Sequence, residues 1–136
     1  MKTLPLWVAA VWWGSLSTLG FFVVPMLFMH LPNPAMAGGM AAKLFSVQTA
    51  ISAACGMVLL LVFRSNRGLT PVDTAQAATV FVAAGLLLAL LVEFAVAPHI
   101  VAKDNLAFWH RVGSAMYLAQ WACTAVVFDK LSRRPG

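Results

Sequence analysis

Few residues in this chain are equipped for chemistry, and most of them gather near the ends of apolar runs. Glu93 stands inside LLLALLVEFAVAP, residues 86 to 98, where an ionised carboxylate in hydrocarbon needs a partner or a purpose. It precedes Pro98 by five residues, so at 1.5 Å per helical residue it sits roughly 7 Å below the end of its run. Arg111 lies near the start of the following run, and Lys43 near the start of the preceding one. Counting along the helices brings the three charges to one depth, with His110 beside them. The expectation is a charge cluster of Glu93, Arg111, Lys43 and His110. Three roles are open to it: an ion pair that fixes helix register, a proton or cation relay or ligand site, or unpartnered chains snorkelling to headgroups.

A second group consists of soft donors. The stretch PMLFMHLPNPAMAGGM holds Met26, Met29, His30, Met36 and Met40, and thioethers with imidazole suit a soft ion such as Cu(I). Against a metal site stand the absence of HxxxH or CxxC spacing and the ordinary use of Met as a packing residue. Haem would need two histidines facing each other at one depth. His110 could serve, but His30 and His99 fall higher, in or beside connections, which disfavours haem. Cys55 and Cys123 both lie in apolar runs and read as small packing residues.

Polar residues also recur at helical spacing. His110, Ser114, Tyr117 and Thr124 share one face, as do Gln48, Ser52 and Cys55. In a membrane helix such faces usually turn inward and hydrogen-bond between helices, although they would also serve to line a narrow pathway. No nucleophile–base pair, phosphate loop, HExxH or dinucleotide fingerprint occurs, so an enzyme is disfavoured.

The elements that must position these groups follow from composition. Of 136 residues, 62% are hydrophobic and 10% charged, against about a quarter charged in a soluble domain. Lipid must therefore solvate much of the surface. The sequence predicts one all-α domain, an up-down bundle of four transmembrane helices over approximately 4–29, 40–63, 74–97 and 107–128, each near the ~20 residues that cross a bilayer. Alternating ten-residue segments are absent, which argues against a β-barrel. The first run is too long and too Trp-rich for a cleavable signal. Pro25, inside the first run, should kink that helix and free a carbonyl.

Lys2, Arg64, Arg67, Lys130, Arg133 and Arg134 fall on the side of the termini, whereas Lys43, Lys103 and Arg111 fall on the other. The positive-inside rule then predicts that both termini are cytoplasmic, and the expected location is the cell inner membrane. The net charge of +5 forms no patch that would suggest nucleic acid.

The segments GFFVVPMLFMHLP…AGGMAAKLF and VEFAVAPHI…FWHRVGSAMYLAQW resemble the paired motifs of a small four-helix membrane family of unknown function. Its eukaryotic relatives include a transmembrane protein linked to platinum-drug resistance. The resemblance covers nearly the whole chain. It points to Gly20, Pro25, Phe28, Gly38, Lys43, Phe45, Glu93, Pro98, His110 and Ser114, with Gly20, Pro25, Pro98 and Ser114 in structural roles. It implies some handling of soft metals or amphiphilic compounds.

Two functions compete on these grounds. One is transport of, or tolerance to, a soft metal ion or small solute through a site at the outer face, in a homo-oligomer because four helices make a thin pore. The other is an accessory or assembly subunit of a larger membrane complex. A haem or quinone redox protein is a more distant third.

Overall fold

A computed structural model describes residues 3–65, 72–102 and 105–133. Among them there is no strand, and the helices form four rods. The first comprises α1 (Leu4–Thr18), a π-helical turn (Leu19–Val23) and α2 (Val24–His30). The second is a single helix, α3 (Pro34–Ser65). The third repeats the plan of the first, with α4 (Val72–Leu91), a π turn (Val92–Val96) and α5 (Ala97–Val101). The fourth is α6 (Leu106–Ser132).

Each rod packs against two neighbours: α1 lies on α3 and α6, and α4 lies on α3 and α6. The first three rods are long and apolar enough to cross a membrane, over Leu4–His30, Pro34–Ser65 and Ala77–Ile100. The fourth, 27 residues long, does not meet that standard of apolarity, because His110, Arg111, Ser114, Gln120 and Thr124 interrupt it. Length and composition thus mark three candidate spans among the four rods.

The boundaries also differ from expectation in ways that matter for the site. Helix α3 begins at Pro34, six residues before the expected start at 40. Asn33 caps it, its Oδ1 accepting from the Met36 N–H at 2.9 Å, and Pro34 follows at the first helical position, where a missing N–H costs nothing. The segment taken for a connection is therefore mostly helix. Likewise Pro98 does not end the third rod but opens α5. Of the basic residues used for orientation, Lys2, Arg67, Lys103 and Arg134 lie outside the described residues.

Proline explains both π turns. It lacks an N–H and its ring crowds the carbonyl four residues back, so the ladder ahead of Pro25 and Pro98 loosens. The chain accommodates this by widening one turn in each rod.

The packed core occupies the half of the bundle nearest the termini. Ala9, Trp12 and Leu16 meet Cys55, Leu59, Val82, Val127 and Leu131 there, and Trp12, Leu16, Leu59, Val82 and Val127 are fully buried. Close approach is built in: a Cβ on Gly85 would stand 3.2 Å from the Trp12 ring. Outward-facing positions carry large apolar side chains, Trp7, Phe22, Met29 and Phe94 among them, as a surface solvated by lipid requires.

Candidate functional site

Above this core the four rods part. A chamber of about 380 Å³ opens between them in the half remote from the termini. Each rod contributes a wall. The first supplies Gly20, Phe21, Val24 and Phe28; α3 supplies Gly38, Ala41, Ala42 and Phe45. The third supplies Val92, Glu93, Ala97 and Ile100, and α6 supplies His110, Gly113, Ser114, Tyr117 and Leu118. The spacing i, i+3, i+4, i+7 on α3 and again on α6 is that of one helix face. Small residues at Gly38, Ala41, Ala42 and Gly113 leave the space.

The floor is a ring pair. Phe45 and Tyr117 meet edge to face with centroids 5.4 Å apart. Beneath them is a second cavity of only about 10 Å³, space for a single water at most, lined in part by Phe45, Gln48, Ser52, Tyr117 and Gln120. Below that a buried polar knot ties three rods together. Ser52 donates to Gln120 Oε1 at 2.9 Å and accepts from Trp12 Nε1 at 2.9 Å. Gln48 Nε2 donates to Ser15 Oγ at 3.0 Å and, more weakly, to Ser52 Oγ at 3.5 Å. Every one of these partners would be costly to leave unpaired away from water.

Tyr117 does more than close the floor. Its hydroxyl donates to the Leu16 carbonyl at 2.6 Å, and the hydroxyl oxygen in turn accepts from the Gly20 N–H. The widened turn of the first rod disrupts the regular helical bonding of those backbone groups, and the hydroxyl of a neighbouring helix takes them up. The fit admits only glycine at position 20, since a Cβ there would stand 2.5 Å from Tyr117 Cε1.

Glu93 lies within the π turn of the third rod, half-buried, on the chamber wall. Its carboxylate accepts from a single hydroxyl, Ser46 Oγ, at 2.9 Å and 3.2 Å to its two oxygens. The expected ion pairs are not made. Among the described residues the ion pair within 4 Å is Arg133–Asp129, at the end of α6, and neither Lys43 nor Arg111 joins Glu93. The reason is helical phase. Ala42 and His110 face the chamber, so Lys43 and Arg111, each one residue further on, are turned by about 100°. Both are exposed. Of the expected cluster, Glu93 and His110 share the chamber wall and the two bases do not.

The soft donors are likewise turned outward. Met26, Met29, Met36 and Met40 are 54%, 76%, 53% and 46% exposed, and His30 is exposed at the end of α2. Only Phe28 from that stretch of the first rod, with Val24, reaches the chamber. His99 stacks on Trp109, with centroids 4.1 Å apart, instead of turning toward His110. Among the described residues no group of three or more His, Cys, Asp or Glu stands ready to hold a metal ion. Pro25 and Pro98 set the two π turns, and Ser114 lines the chamber beside His110.

The two halves of the bundle follow one plan. Setting Gly38, Ala41, Ala42 and Phe45 against His110, Gly113, Ser114 and Tyr117 also sets Gln48 against Gln120 and Ser52 against Thr124. In the odd rods, Gly20-Phe21-Phe22-Val23-Val24-Pro25 stands against Glu93-Phe94-Ala95-Val96-Ala97-Pro98. This correspondence was open to inspection in the sequence, in the paired FxVxP segments and the paired Gln-x-x-x-Ser/Thr. It identifies Gly38, Ala41, Phe45 and Tyr117 as facing one space, a grouping that depth alone did not provide.

Such a bundle, helical, apolar and proline-broken at matched points, is that of a small membrane protein. The chain belongs to the family described as Domain of unknown function (DUF4149), which matches residues 7–107. No curated protein and no solved structure matches it significantly.

Proposed function

We propose that this is a four-span protein of the cell inner membrane, with both termini cytoplasmic, that binds a small solute in the outer half of the bilayer and serves its transport or tolerance. The chamber carries the reading: about 380 Å³, mostly apolar, with convergent polar groups from Glu93, His110, Ser114 and Tyr117. That is the usual make-up of a small-molecule site. Its position between two halves of like pattern is where membrane transporters built from repeats place their substrate. The fourth span is favoured by the 27 residues of α6, about 40 Å at 1.5 Å per residue, and by its packing along α1 and α4. Facing a bundle that carries its own polar knot, Gln120 and Thr124 do not have to meet lipid.

A small organic solute is favoured over a soft metal ion, because the thioethers of Met26, Met29, Met36 and Met40 stand outward. The resemblance to a family with a platinum-resistance member fits tolerance to an amphiphilic compound. The test is co-purification. Protein extracted in mild detergent should carry a small molecule, released on denaturation and read by mass spectrometry. Gly38→Leu, whose side chain enters the chamber where a Cβ meets nothing within 4 Å, should lose it. Equal content in both proteins would sink the reading, and a stoichiometric larger partner would favour the subunit role instead.

A further inference from the structure

We infer that the occupant of the chamber is a monovalent organic cation with an aromatic or branched apolar body, held by Glu93 against a wall of aromatic rings. The inference rests on the small-solute reading above and names the ligand's charge and size.

Charge comes first. Among the described residues Glu93 is the only carboxylate on the wall, and none of those lining the chamber is a lysine or arginine. The carboxylate offers about four acceptor positions, and one serine hydroxyl occupies part of that capacity. Neither nearby base neutralises it. An anion entering this space would meet a like charge, and a neutral guest would desolvate the carboxylate without compensating it. A cation restores the balance. Divalent ions are poorly served, because Ca²⁺ takes about six to eight oxygen ligands and Mg²⁺ demands near-ideal octahedral geometry, which one carboxylate and two hydroxyls do not supply.

The remaining wall fits the same guest. Phe21, Phe28, Phe45 and Tyr117 come from three of the four rods and line the space. Ring faces attract ammonium groups, most strongly where water is excluded. At the ~30 Å³ that one water molecule occupies in the liquid, the volume corresponds to roughly a dozen heavy atoms. That is the size of a benzyl- or branched-alkyl ammonium ion, larger than a bare metal ion and smaller than a phospholipid.

Equilibrium binding to the full chain in nanodiscs of zwitterionic lipid tests this with three probes of one shape: benzyltrimethylammonium, its uncharged carbon isostere neopentylbenzene, and phenylmethanesulfonate. The cation should bind saturably, the isostere more weakly by about tenfold or more, and the anion not at all. Glu93→Gln should erase the advantage of cation over isostere, while Ser46→Ala, which keeps the charge and frees acceptor capacity, should preserve it. Gly38→Leu should abolish binding of both. Equal affinity for cation and isostere, or an undiminished cation in Glu93→Gln, would overturn the charge assignment and leave the small-solute reading standing. Saturable binding of none of the three, or binding unaffected by Gly38→Leu, would overturn both.

Discussion

The first hairpin, rods one and two, and the second hairpin, rods three and four, are laid out on one pattern but are not chemically equal. Where the first has Gly20, Gly38, Ala42 and Phe45, the second has Glu93, His110, Ser114 and Tyr117. The first hairpin supplies room; the second supplies a carboxylate, an imidazole and two hydroxyls. Below the floor the balance reverses. Ser52 of the first hairpin is bonded to Trp12, Gln48 and Gln120, whereas the matched Thr124 donates only to the Trp121 carbonyl in its own helix, at 2.8 Å. A shared pattern fixes where the helices bend and which faces meet, and divergence at matched positions then separates the binding half from the tying half.

The sharpest break in that comparison is at position 20. Gly20→Leu should destabilise the bundle by about 3 kcal/mol, the upper range for overpacking, because its Cβ collides with Tyr117. Thermal unfolding in detergent reads the loss, and Tyr117→Ala in the same chain should recover part of it. A neutral Gly20→Leu would show that the two rods do not meet as described.

The second contrast sets Ser52 against Thr124. Ser52→Ala should cost about 2 kcal/mol, roughly 1 for each of two buried partners left unpaired, Trp12 Nε1 and Gln120. Thr124→Val, which keeps the shape and loses a local bond, should cost under about 1 kcal/mol. Equal costs, measured by the same unfolding, would remove the asymmetry of the knot.

The smallest effect concerns the charges. Replacing Lys43 or Arg111 by Gln should change stability by no more than about 0.5 kcal/mol, since both are exposed and neither pairs with Glu93. A loss several times larger, relieved by adding Glu93→Gln, would restore the three-charge cluster.

These contrasts also mark how far the sequence could be read. Apolar run lengths revealed a helical membrane protein, because hydrocarbon thickness imposes a coarse length on any spanning helix. Depth along a helix was countable, and Glu93 and His110, expected together, both line the chamber. Face was not. Depth advances by 1.5 Å per residue but direction by about 100°, so a count that sets Lys43 and Arg111 level with Glu93 leaves their orientation undetermined. Helix phase is shifted again by the π turns: Pro25 announces a disturbance of its helix but not that a widened turn absorbs it. The early start of α3 was available in Asn33-Pro34, a cap followed by a first-turn proline, but the glycines of AMAGG outweighed it. The chamber itself was the least legible feature, since it exists only where small residues from separate rods are brought opposite one another.

The π turns carry a consequence for how this chain tolerates changes in length. A widened turn is an α-helix holding one residue more than its regular ladder accommodates. Losing a residue between Leu19 and Val23 would restore the regular ladder and, because the wide turn already takes up the rotation of its extra residue, would leave α2 in phase with α1 and Val24 and Phe28 on the chamber. The same loss between Val92 and Val96, at a residue other than Glu93, would leave Ala97 and Ile100 in place. The first and third rods thus each hold a place where a folded bundle could absorb a single-residue deletion as regular helix with its binding space kept.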